Sequence, residues 1–365
     1  MTVLHVAAGN AYGGIERMLA TVAGLPHPRL TQHFALSFGG RLERELRAEG
    51  ARVHRLPSPR AARPLRVIRA RRAFETLLSE ITPDMTILHG AWPHAMFASV
   101  ARRAGRRITF WQHQPIARPA WPDRWARRVR PDFVIYNSRF TELSPAFRNV
   151  EGTVIYYPVA APPAIRGAER TARRKQFGAD EDDIVVLLAA RLEKWKGQAV
   201  LLDAASRLKP ARRIRIWIAG GPQSAGETKF FDELTARASA ADLRDRVRLL
   251  GQREDVPLLT GLADIYCQPN LQPEPFGISV AEAMLAGLPC VMSAGGGAAE
   301  LLDESCGVVT AAGDAAAVAA ALDRIAADPE LRMAMGRAAC GRASRLTDPI
   351  SRLDDLAAIV AAHAH

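Results

Sequence analysis

Two glutamates with contrasting surroundings stand out in the stretch LQPEPFGISVAEAMLAGLPC, residues 271–290. Glu274 lies in a loop with prolines and a glycine, whereas Glu282 lies in a run whose spacing predicts a helix. Free backbone N–H groups at the start of that helix, near Gly277 and Ile278, favour an anion such as a phosphate. Glu274 is then placed to accept hydrogen bonds from a sugar, and Glu282 from a ribose.

A structural role for Glu282 is open as well. The run Ser279-Val-Ala-Glu282 fits a capping box, in which the serine and the glutamate satisfy backbone N–H groups at a helix start. Glu274 has no comparable explanation, because a carboxylate in an apolar loop needs a partner. Glu274 is therefore the stronger candidate for a functional residue.

Two cations follow another apolar run. Arg191 and Lys196 come directly after VVLLAA, where a strand is expected to end and a helix to begin. A planar guanidinium fork and a compact ammonium together suit a diphosphate, although both side chains can also be solvated surface cations. After RIWIA, the turn Gly220-Gly221-Pro222 could admit a phosphate or be purely structural. No GxGxxG opens a helix, which argues against a nicotinamide or flavin site.

Short apolar runs alternate with helical patterns along the whole chain. Residues 1–165 contain seven strand-like runs, and the remainder contains six, several of them apolar throughout as in a buried parallel sheet. A proline-rich and then charged segment, PVAAPPAIRGAERTARR, reads as a linker between the two series. The pattern predicts an α/β protein with two Rossmann-like, doubly wound domains that face each other across a cleft.

Composition fits a globular protein of two domains. Apolar residues make up 48% and charged residues 24% of the 365 residues. The four cysteines are far apart and form no CxxC pair, so buried thiols in a reducing cytoplasm are expected. No uncharged run is longer than residues 283–299, which are too broken by glycine and proline to span a bilayer, and the start shows no basic signal region. The predicted location is cytoplasmic.

The quoted runs resemble a known family. EPFGISVAEAMLAGLPCV is similar to the E-P-F-G-x-x-x-x-E-A-M-A-x-G-x-P-V signature of the retaining glycosyltransferases of family 4 (glycosyl transferases group 1), which have the GT-B fold. AARLEKWKG resembles the family's G-R-L-x-x-x-K-G element, with Ala190 in place of glycine. AYGGIER, IAGGP and VRLLG also have counterparts, and in IYYPV, Tyr157 stands where asparagine is usual. The resemblance covers nearly the whole chain.

The resemblance implies roles for individual residues. Arg191 and Lys196 should bind the donor diphosphate, and Glu274 should hold the transferred sugar, with His113 of ITFWQHQ nearby. Further contacts with the nucleotide-sugar donor are expected from Gly13, Gly14, Leu250, Gly251, Phe276, Gly277, Ile278 and Glu282. It also implies three segments. Residues 1–165 form the acceptor-side domain, residues 166–345 form the domain that binds the nucleotide sugar, and residues 346–365 form a closing helix that packs back on the first domain.

The family's reaction is transfer from a nucleotide sugar to an acceptor hydroxyl with retention. Same-face attack, in which the departing phosphate takes the acceptor's proton, is implied rather than a double displacement by carboxylates about 5 Å apart. No cofactor or metal is expected. The acidic cluster DEDD at 180–183 precedes its strand and reads as a solvated turn rather than a metal site.

Two other classes remain open. Nucleotide-sugar 2-epimerases share the GT-B architecture, and epimerisation of a donor without any acceptor would identify one. A nucleic-acid binder is suggested by the net charge of +11 and a pI near 10.1, but no recognised motif appears and aromatic residues make up only 6%. Binding to nucleic acid is therefore not expected.

The acceptor side carries the positive charge. Residues 1–165 contain 24 arginines, no lysine and 11 acidic residues. Arg63, Arg66 and Arg69 lie at helical spacing beside Leu65 and Ile68, and WPDRWARRVR combines Trp121 and Trp125 with four arginines. Such segments suit an anionic bilayer, although coding bias also enriches arginine. We expect a peripheral enzyme on the cytoplasmic face of the inner membrane that extends a lipid-linked saccharide. The candidate acceptor contacts are Asn10, Tyr12, Trp92 and His94, with His89 beside them.

Overall fold

The computed structural model describes residues 1–10, 12–116, 120–209, 213–293 and 295–363. Ala11 of the AYGGIER loop and residues 364 and 365 of the expected closing helix lie outside the described residues. The chain divides into two compact units, one formed by Met1–Val159 with the chain from Thr347 onward, and the other by Ala160–Leu346. Each unit contains one fully parallel sheet, of seven and six strands respectively.

The sheet of the first unit is wound in both directions from its first strand. Its order is β3-β2-β1-β4-β5-β6-β7, so the direction of winding reverses between β1 and β4. At such a reversal the loops after the two strands diverge and leave a crevice at their carboxyl ends. The strands are β1 Thr2–Ala7, β2 Thr31–Leu36, β3 Arg52–Arg55, β4 Met85–His89, β5 Ile108–Gln112, β6 Phe133–Tyr136 and β7 Gly152–Val154.

Seven helices accompany these strands in the described part of the first unit. They are α1 Gly14–Ala23, α2 Arg41–Ala48, α3 Pro64–Ile81, α4 Ala91–Arg103, α5 Trp121–Ala126, α6 Arg139–Glu142 and α14 Pro349–His363. The last of them, α14, is joined to this unit by Asp354, whose Oδ1 accepts from Arg29 (2.7 Å) and lies 3.2 Å from His27 Nε2. Its end packs the His363 ring on Phe133, with centroids 4.4 Å apart.

The second unit repeats the arrangement. Its sheet order is β10-β9-β8-β11-β12-β13, with the reversal between β8 and β11. The strands are β8 Ile184–Ala189, β9 Ile214–Ala219, β10 Val247–Gly251, β11 Ile265–Gln268, β12 Cys290–Ser293 and β13 Gly307–Thr310. The helices are α7 Gly167–Gln176, α8 Gln198–Ala205, α9 Ala225–Ala238, α10 Val256–Leu262, α11 Ile278–Leu285, α12 Ala315–Ala327 and α13 Pro329–Thr347, with 3₁₀ turns at Lys194–Lys196 and Gly297–Leu301.

Both faces of the second sheet are covered. Val186, Leu188 and Ile216 pack into one apolar cluster with side chains of α8, α9 and α12. The alternate residues point to the other face, where Trp217 is fully buried and its ring lies 5.4 Å from that of Phe177. Coverage on both faces explains why these strands are almost uniformly apolar in sequence. The predicted fold class, two doubly wound α/β domains, is confirmed.

Two local expectations were wrong. The charged half of the predicted linker forms α7, and Arg174 of this helix is buried and donates to Asp264 (3.0 Å). The cluster at 180–183 is not a solvated turn throughout, because Asp183 is buried and accepts from the Nε atoms of Arg213 and Arg215, both at 3.0 Å.

Among the residues that the structure describes, no helix combines the length and the apolar character needed to cross a bilayer.

Candidate active site

Glu274 and Lys196 form a nearly buried ion pair in the second unit. Their side chains are 12% and 10% exposed, and Lys196 Nζ lies 2.5 Å from Glu274 Oε2. Lys196 follows β8 and Glu274 follows β11, the two strands between which the winding of the sheet reverses. The pair therefore lies at the edge where ligands bind in open α/β sheets.

Two amides complete the surroundings of the carboxylate. Gln268 Nε2 donates to Glu274 Oε2 at 3.0 Å, and Asn270 Nδ2 donates to the same oxygen at 3.3 Å. Gln268 is held in turn by the hydroxyls of Tyr266 (2.6 Å) and Ser279 (3.3 Å), which donate to its Oε1. Within the described residues, every hydrogen bond to this carboxylate reaches Oε2, so Oε1 is available to a ligand.

Sequence reasoning missed these two amides. Gln268 and Asn270 are both buried, although amide side chains are mostly exposed in proteins. A signal was available in the sequence, since Gln268 ends and Asn270 closely follows the apolar run that precedes the Glu274 loop.

Lys196 is fixed by close packing between two loops. The next residue, Gly197, has φ +80°, and a Cβ there would lie 2.0 Å from the carbonyl oxygen of Pro269. Leu271 N donates to the carbonyl of Trp195 at 2.8 Å, which joins the same two loops. The Trp195 ring also lies under the Lys196 ammonium, 4.0 Å away. Only glycine allows this approach of the backbones, which brings Lys196 to Glu274.

Arg191 differs from Lys196 in its surroundings. Its side chain is 55% exposed and pairs with Glu193, at 3.1 Å between Nη1 and Oε1. Its carbonyl accepts from the buried Gln198 (2.9 Å), so the backbone is anchored while the guanidinium lies in solvent. The structure thus brings Lys196 to Glu274 and leaves Arg191 at the rim of the same strand end.

The start of α11 removes one interpretation of Glu282. The helix begins at Ile278, with Gly277 as its N-cap at φ +84°, and the Ser279 hydroxyl donates to Gln268 Oε1. Ser279 is therefore inside the first turn, and the capping-box interpretation of Glu282 is wrong. Glu282 is buried on α11, and Phe276 is buried in the preceding loop.

The glycine turns of this unit are explained by contact between loops. A Cβ on Gly220 would lie 2.2 Å from the carbonyl oxygen of Ala190, and one on Gly221 would lie 2.5 Å from the backbone nitrogen of Gln252. Gly220 N donates to the carbonyl of Gly251 at 2.9 Å. Gly251 itself has φ +66°, and nothing lies within 4 Å of a Cβ built on it. The structural explanation of the Gly220-Gly221 turn is sufficient.

In the first unit, Gly13 and Gly14 lie at the start of α1. Gly13 is extended, with φ −158°, and its N–H donates to the carboxylate of Glu16 at 3.0 Å. The glycine pair follows β1, one of the two strands at the reversal of this sheet. The loop and the helix start therefore lie at the carboxyl edge of the sheet, as the sequence predicted, and a role in phosphate binding stays a prediction.

His113 follows β5 and is half-buried, and both of its ring nitrogens contact the protein. Nε2 lies 3.2 Å from His89 Nδ1, and Nδ1 lies 2.5 Å from the hydroxyl of Tyr157. His89 Nε2 in turn lies 3.0 Å from Nδ1 of His5. Burial lowers the pKa of His113 to about 3 and that of His5 to about 4, so both are neutral at pH 7. The role of His113 toward a sugar stays a prediction.

The candidate acceptor residues are placed differently from one another. Asn10 is exposed, and Tyr12 donates to Glu45 with the Arg41 guanidinium 4.0 Å from its ring centroid. Trp92 is half-buried against Phe38.

His94 was wrongly assigned to the acceptor surface. It is buried, its Nε2 lies 2.7 Å from the Val129 carbonyl oxygen, and its ring packs on Phe110 and Phe147. Burial lowers the pKa of His94 to about 4, which keeps the ring neutral in this apolar setting. His94 is part of the core.

The chain is similar to two protein families and to several known proteins. The family model of the glycosyl transferases group 1 matches residues 169–342, and that of the glycosyl transferase 4-like domain matches residues 12–147. A GDP-mannose-dependent alpha-(1-6)-phosphatidylinositol monomannoside mannosyltransferase of Mycolicibacterium smegmatis is 30% identical over 297 residues, which are 72% of each chain. The chain belongs to the glycosyl transferases group 1. The Glu274 loop and α11 lie within the segment matched by that family model.

Other similar proteins cover different shares of the chain. A D-inositol 3-phosphate glycosyltransferase of Corynebacterium kroppenstedtii is 32% identical over 196 residues, which are 51% of this chain but only 42% of that relative. The crystal structure of Anabaena HepE in complex with UDP and glucose superimposes with a TM-score of 0.86 at 23% identity, over 99% of this chain and 100% of that one. This likeness shows the fold, and the GT-B fold predicted from the sequence is confirmed.

Proposed function

We propose that this group 1 glycosyltransferase moves a sugar from a UDP- or GDP-sugar to an acceptor hydroxyl, with retention at the anomeric carbon. The observation that carries the proposal is the Glu274–Lys196 pair at the reversal point of the second sheet. A nucleotide bound there would meet a cation for its phosphates and a carboxylate for hydroxyls. The Mycolicibacterium relative uses GDP-mannose and the HepE structure holds UDP, which supports a nucleoside-diphosphate donor of either base.

Glu274 would bind the transferred sugar through Oε1. The three donors on Oε2 hold the carboxylate in one orientation before any ligand arrives. Sugar hydroxyls that donate to Oε1 then meet an acceptor that is already positioned, so little ordering of the side chain opposes binding. Gln268 and Asn270 are positioning residues in this scheme, because they act through Glu274.

Lys196 and Arg191 would stabilise the leaving diphosphate. A lysine ammonium has three N–H donors, and Glu274 occupies one, which leaves others for phosphate oxygens. The Arg191 side chain is exposed and pairs with the neighbouring Glu193, so its guanidinium can turn toward the ligand. Negative charge that develops on the leaving phosphate would then be balanced by side chains of the protein. No metal is required in this proposal, and the departing phosphate would take the proton of the acceptor hydroxyl.

The proposed acceptor is a lipid-linked saccharide for a cell-surface polysaccharide, reached at an anionic membrane. Leu65 on α3 is 81% exposed, and Trp121 and Trp125 on α5 are 44% and 42% exposed. Arg63 and Arg66 are exposed next to Leu65, and neither makes an ion pair within the described residues. Exposed apolar side chains among unpaired arginines suit the headgroup region of an anionic bilayer, on the cytoplasmic side. The acceptor of the Mycolicibacterium relative is itself a phosphatidylinositol mannoside.

Release of nucleoside diphosphate from a panel of UDP- and GDP-sugars tests the proposal. Without acceptor, slow hydrolysis of one or a few donors is expected. The anomeric configuration of the released sugar, followed by NMR as soon as it forms, should match that of the donor. A protein that binds none of the donors, or that returns an epimerised nucleotide sugar, would contradict the proposed function.

A further inference from the structure

Three histidines, a glutamine and a tyrosine form one continuous row of hydrogen bonds in the first unit. His5 lies on β1, His89 ends β4, and His113 follows β5, three strands that are neighbours in the sheet. The register pairs His89 with Trp111, so the alternation of side chains puts His89 and His113 on the same face. The row, defined as Gln32, His5, His89, His113 and Tyr157, crosses the reversal between β1 and β4.

The direction of every bond in the row is set at its Gln32 end. Gln32 Nε2 donates to the carbonyl of Val22 at 3.1 Å, so the Oε1 atom of this amide faces His5 Nε2, 3.2 Å away. An amide oxygen only accepts, and His5 Nε2 must therefore carry a proton. A neutral imidazole has one N–H, which makes His5 Nδ1 an acceptor.

The same rule passes along the row. His89 Nε2 donates to His5 Nδ1, which leaves His89 Nδ1 to accept from His113 Nε2. His113 Nδ1 must then accept, and the Tyr157 hydroxyl, 2.5 Å away, is its donor. Burial lowers the pKa of all three imidazoles, and neighbouring His5 and His113 lower that of His89 further. The hydrogen bond to Gln32 raises the pKa of His5, but burial lowers it more, and no carboxylate or guanidinium contributes to the three shifts.

We propose that His5, His89 and Tyr157 are positioning residues that hold His113 in one tautomer and one orientation, with the proton on Nε2 and a lone pair on Nδ1. A row that ends in an amide does not relay protons, because Gln32 has no proton to pass on at Oε1. His113 therefore serves as a fixed, neutral ring rather than as an acid or base. Tyr157 gains a role at the position where the family usually has asparagine.

The direct test is NMR of the full-length protein with ¹⁵N-labelled histidine. Long-range correlations distinguish the Nε2–H from the Nδ1–H tautomer for each ring, and single histidine-to-glutamine variants assign the signals. His5, His89 and His113 should all show the Nε2–H pattern and keep it from pH 8 to pH 5. An Nδ1–H pattern for His113, or a titration of its ring near its ordinary pKa of about 6.5, would overturn the proposal.

Variants at the two ends of the row should differ. Gln32→Leu removes the group that sets the direction, so His113 should become a mixture of tautomers, and kcat should fall about tenfold with a nearly unchanged KM. Tyr157→Phe removes the donor at the far end and leaves Gln32 in place, so the tautomer should persist while kcat still falls. Equal tautomer spectra for Gln32→Leu and wild type would refute the inference.

His33→Gln is the matched control. His33 Nδ1 lies 2.9 Å from His54 Nε2, a histidine pair in the same sheet. His33 pairs with Leu4, the neighbour of His5, and so lies on the opposite face. This variant should change neither the spectra of the row nor kcat, and a tenfold loss in it would contradict a specific role of the row. The kcat measurements rest on the proposed function, whereas the NMR spectra do not. A protein that shows the expected tautomers but no transferase activity would therefore refute the proposed function and leave the inference about the row intact.

Discussion

Replacing Glu274 by glutamine should remove most activity while leaving the fold in place. All three donors to this side chain contact Oε2, so the amide oxygen of glutamine can take that position and keep Lys196, Gln268 and Asn270 bonded. The NH₂ group then occupies the position of Oε1. A sugar hydroxyl that donated to Oε1 would meet a donor instead of an acceptor.

The expected magnitude follows from the bond that is lost. A hydrogen bond to a charged acceptor contributes about 1.5–3 kcal/mol, so kcat/KM should fall about 10- to 150-fold. The free energy of unfolding should fall by less than the about 3–5 kcal/mol expected when one partner of a buried ion pair is deleted outright, because the glutamine oxygen still accepts from Lys196. Glu274→Ala deletes that acceptor and should reach the larger value.

Initial rates of nucleoside diphosphate release and thermal melts of the same samples would measure both effects. Glu233→Gln is the matched control, since Glu233 pairs with Lys194 at 3.7 Å on the surface of the same unit. Exposed pairs contribute only about 0–1 kcal/mol, so the control should keep both activity and stability. A folded Glu274→Gln protein with wild-type kcat/KM would refute the reasoning.

Three further predictions concern other parts of the molecule. Glu282→Gln should raise KM for the nucleotide-sugar donor about threefold to tenfold, as expected for one hydrogen bond. Little change in melting temperature is expected, because glutamine keeps the shape of the side chain and Glu282 lies beyond the first turn of α11. A lower melting temperature with normal KM would contradict the donor role. Gly197→Ala should lower the free energy of unfolding by about 3 kcal/mol or more, because its Cβ would meet the Pro269 carbonyl oxygen. A denaturant titration would measure this loss. Gly226→Ala on α9 is the control and should not destabilise the protein, because nothing lies within 4 Å of a Cβ at that position. The protein should sediment with anionic vesicles at low salt and less so at high salt, and Trp121→Ser with Trp125→Ser should weaken this; absence of sedimentation at low salt would refute membrane association.

The strand pattern and the edge of each sheet were predictable from the sequence. Apolar runs with helical segments between them gave seven and six strands, and parallel sheets place all ligand-binding loops at one edge. Glu274 and Lys196 could therefore be assigned to the same edge although 78 positions separate them. Their direct contact was not predictable, because it depends on β8 and β11 being neighbours.

Errors arose where a local pattern competes with tertiary contacts. Ser279 and Glu282 have capping-box spacing, but the bridge between Glu274 and Gly296 fixes the preceding loop, and the helix begins at Ile278. A local motif predicts only what the backbone would do without such a contact. The same reason explains Arg174, which reads as part of a charged linker until Asp264 provides its partner.

The histidine row shows the limit of sequence reasoning. His5, His89 and His113 are far apart in sequence, and each one alone is a residue that most often serves the core. Strand order brings them into line, and a single amide, Gln32, determines where every proton lies. No spacing in the sequence encodes that relation.

The burial of Lys196 has a practical consequence for chemical labelling. The first 165 residues contain no lysine, and the other lysines, Lys175, Lys194, Lys209 and Lys229, are all exposed in the second unit. Amine-reactive dyes or resins will therefore acylate these four side chains and the amino terminus, while the ion pair with Glu274 shields Lys196 from reaction. All four reactive lysines are in the second unit, so coupling through lysine attaches the protein to a sensor surface by that unit and leaves the arginines and tryptophans of the first unit chemically unmodified for measurements on lipid.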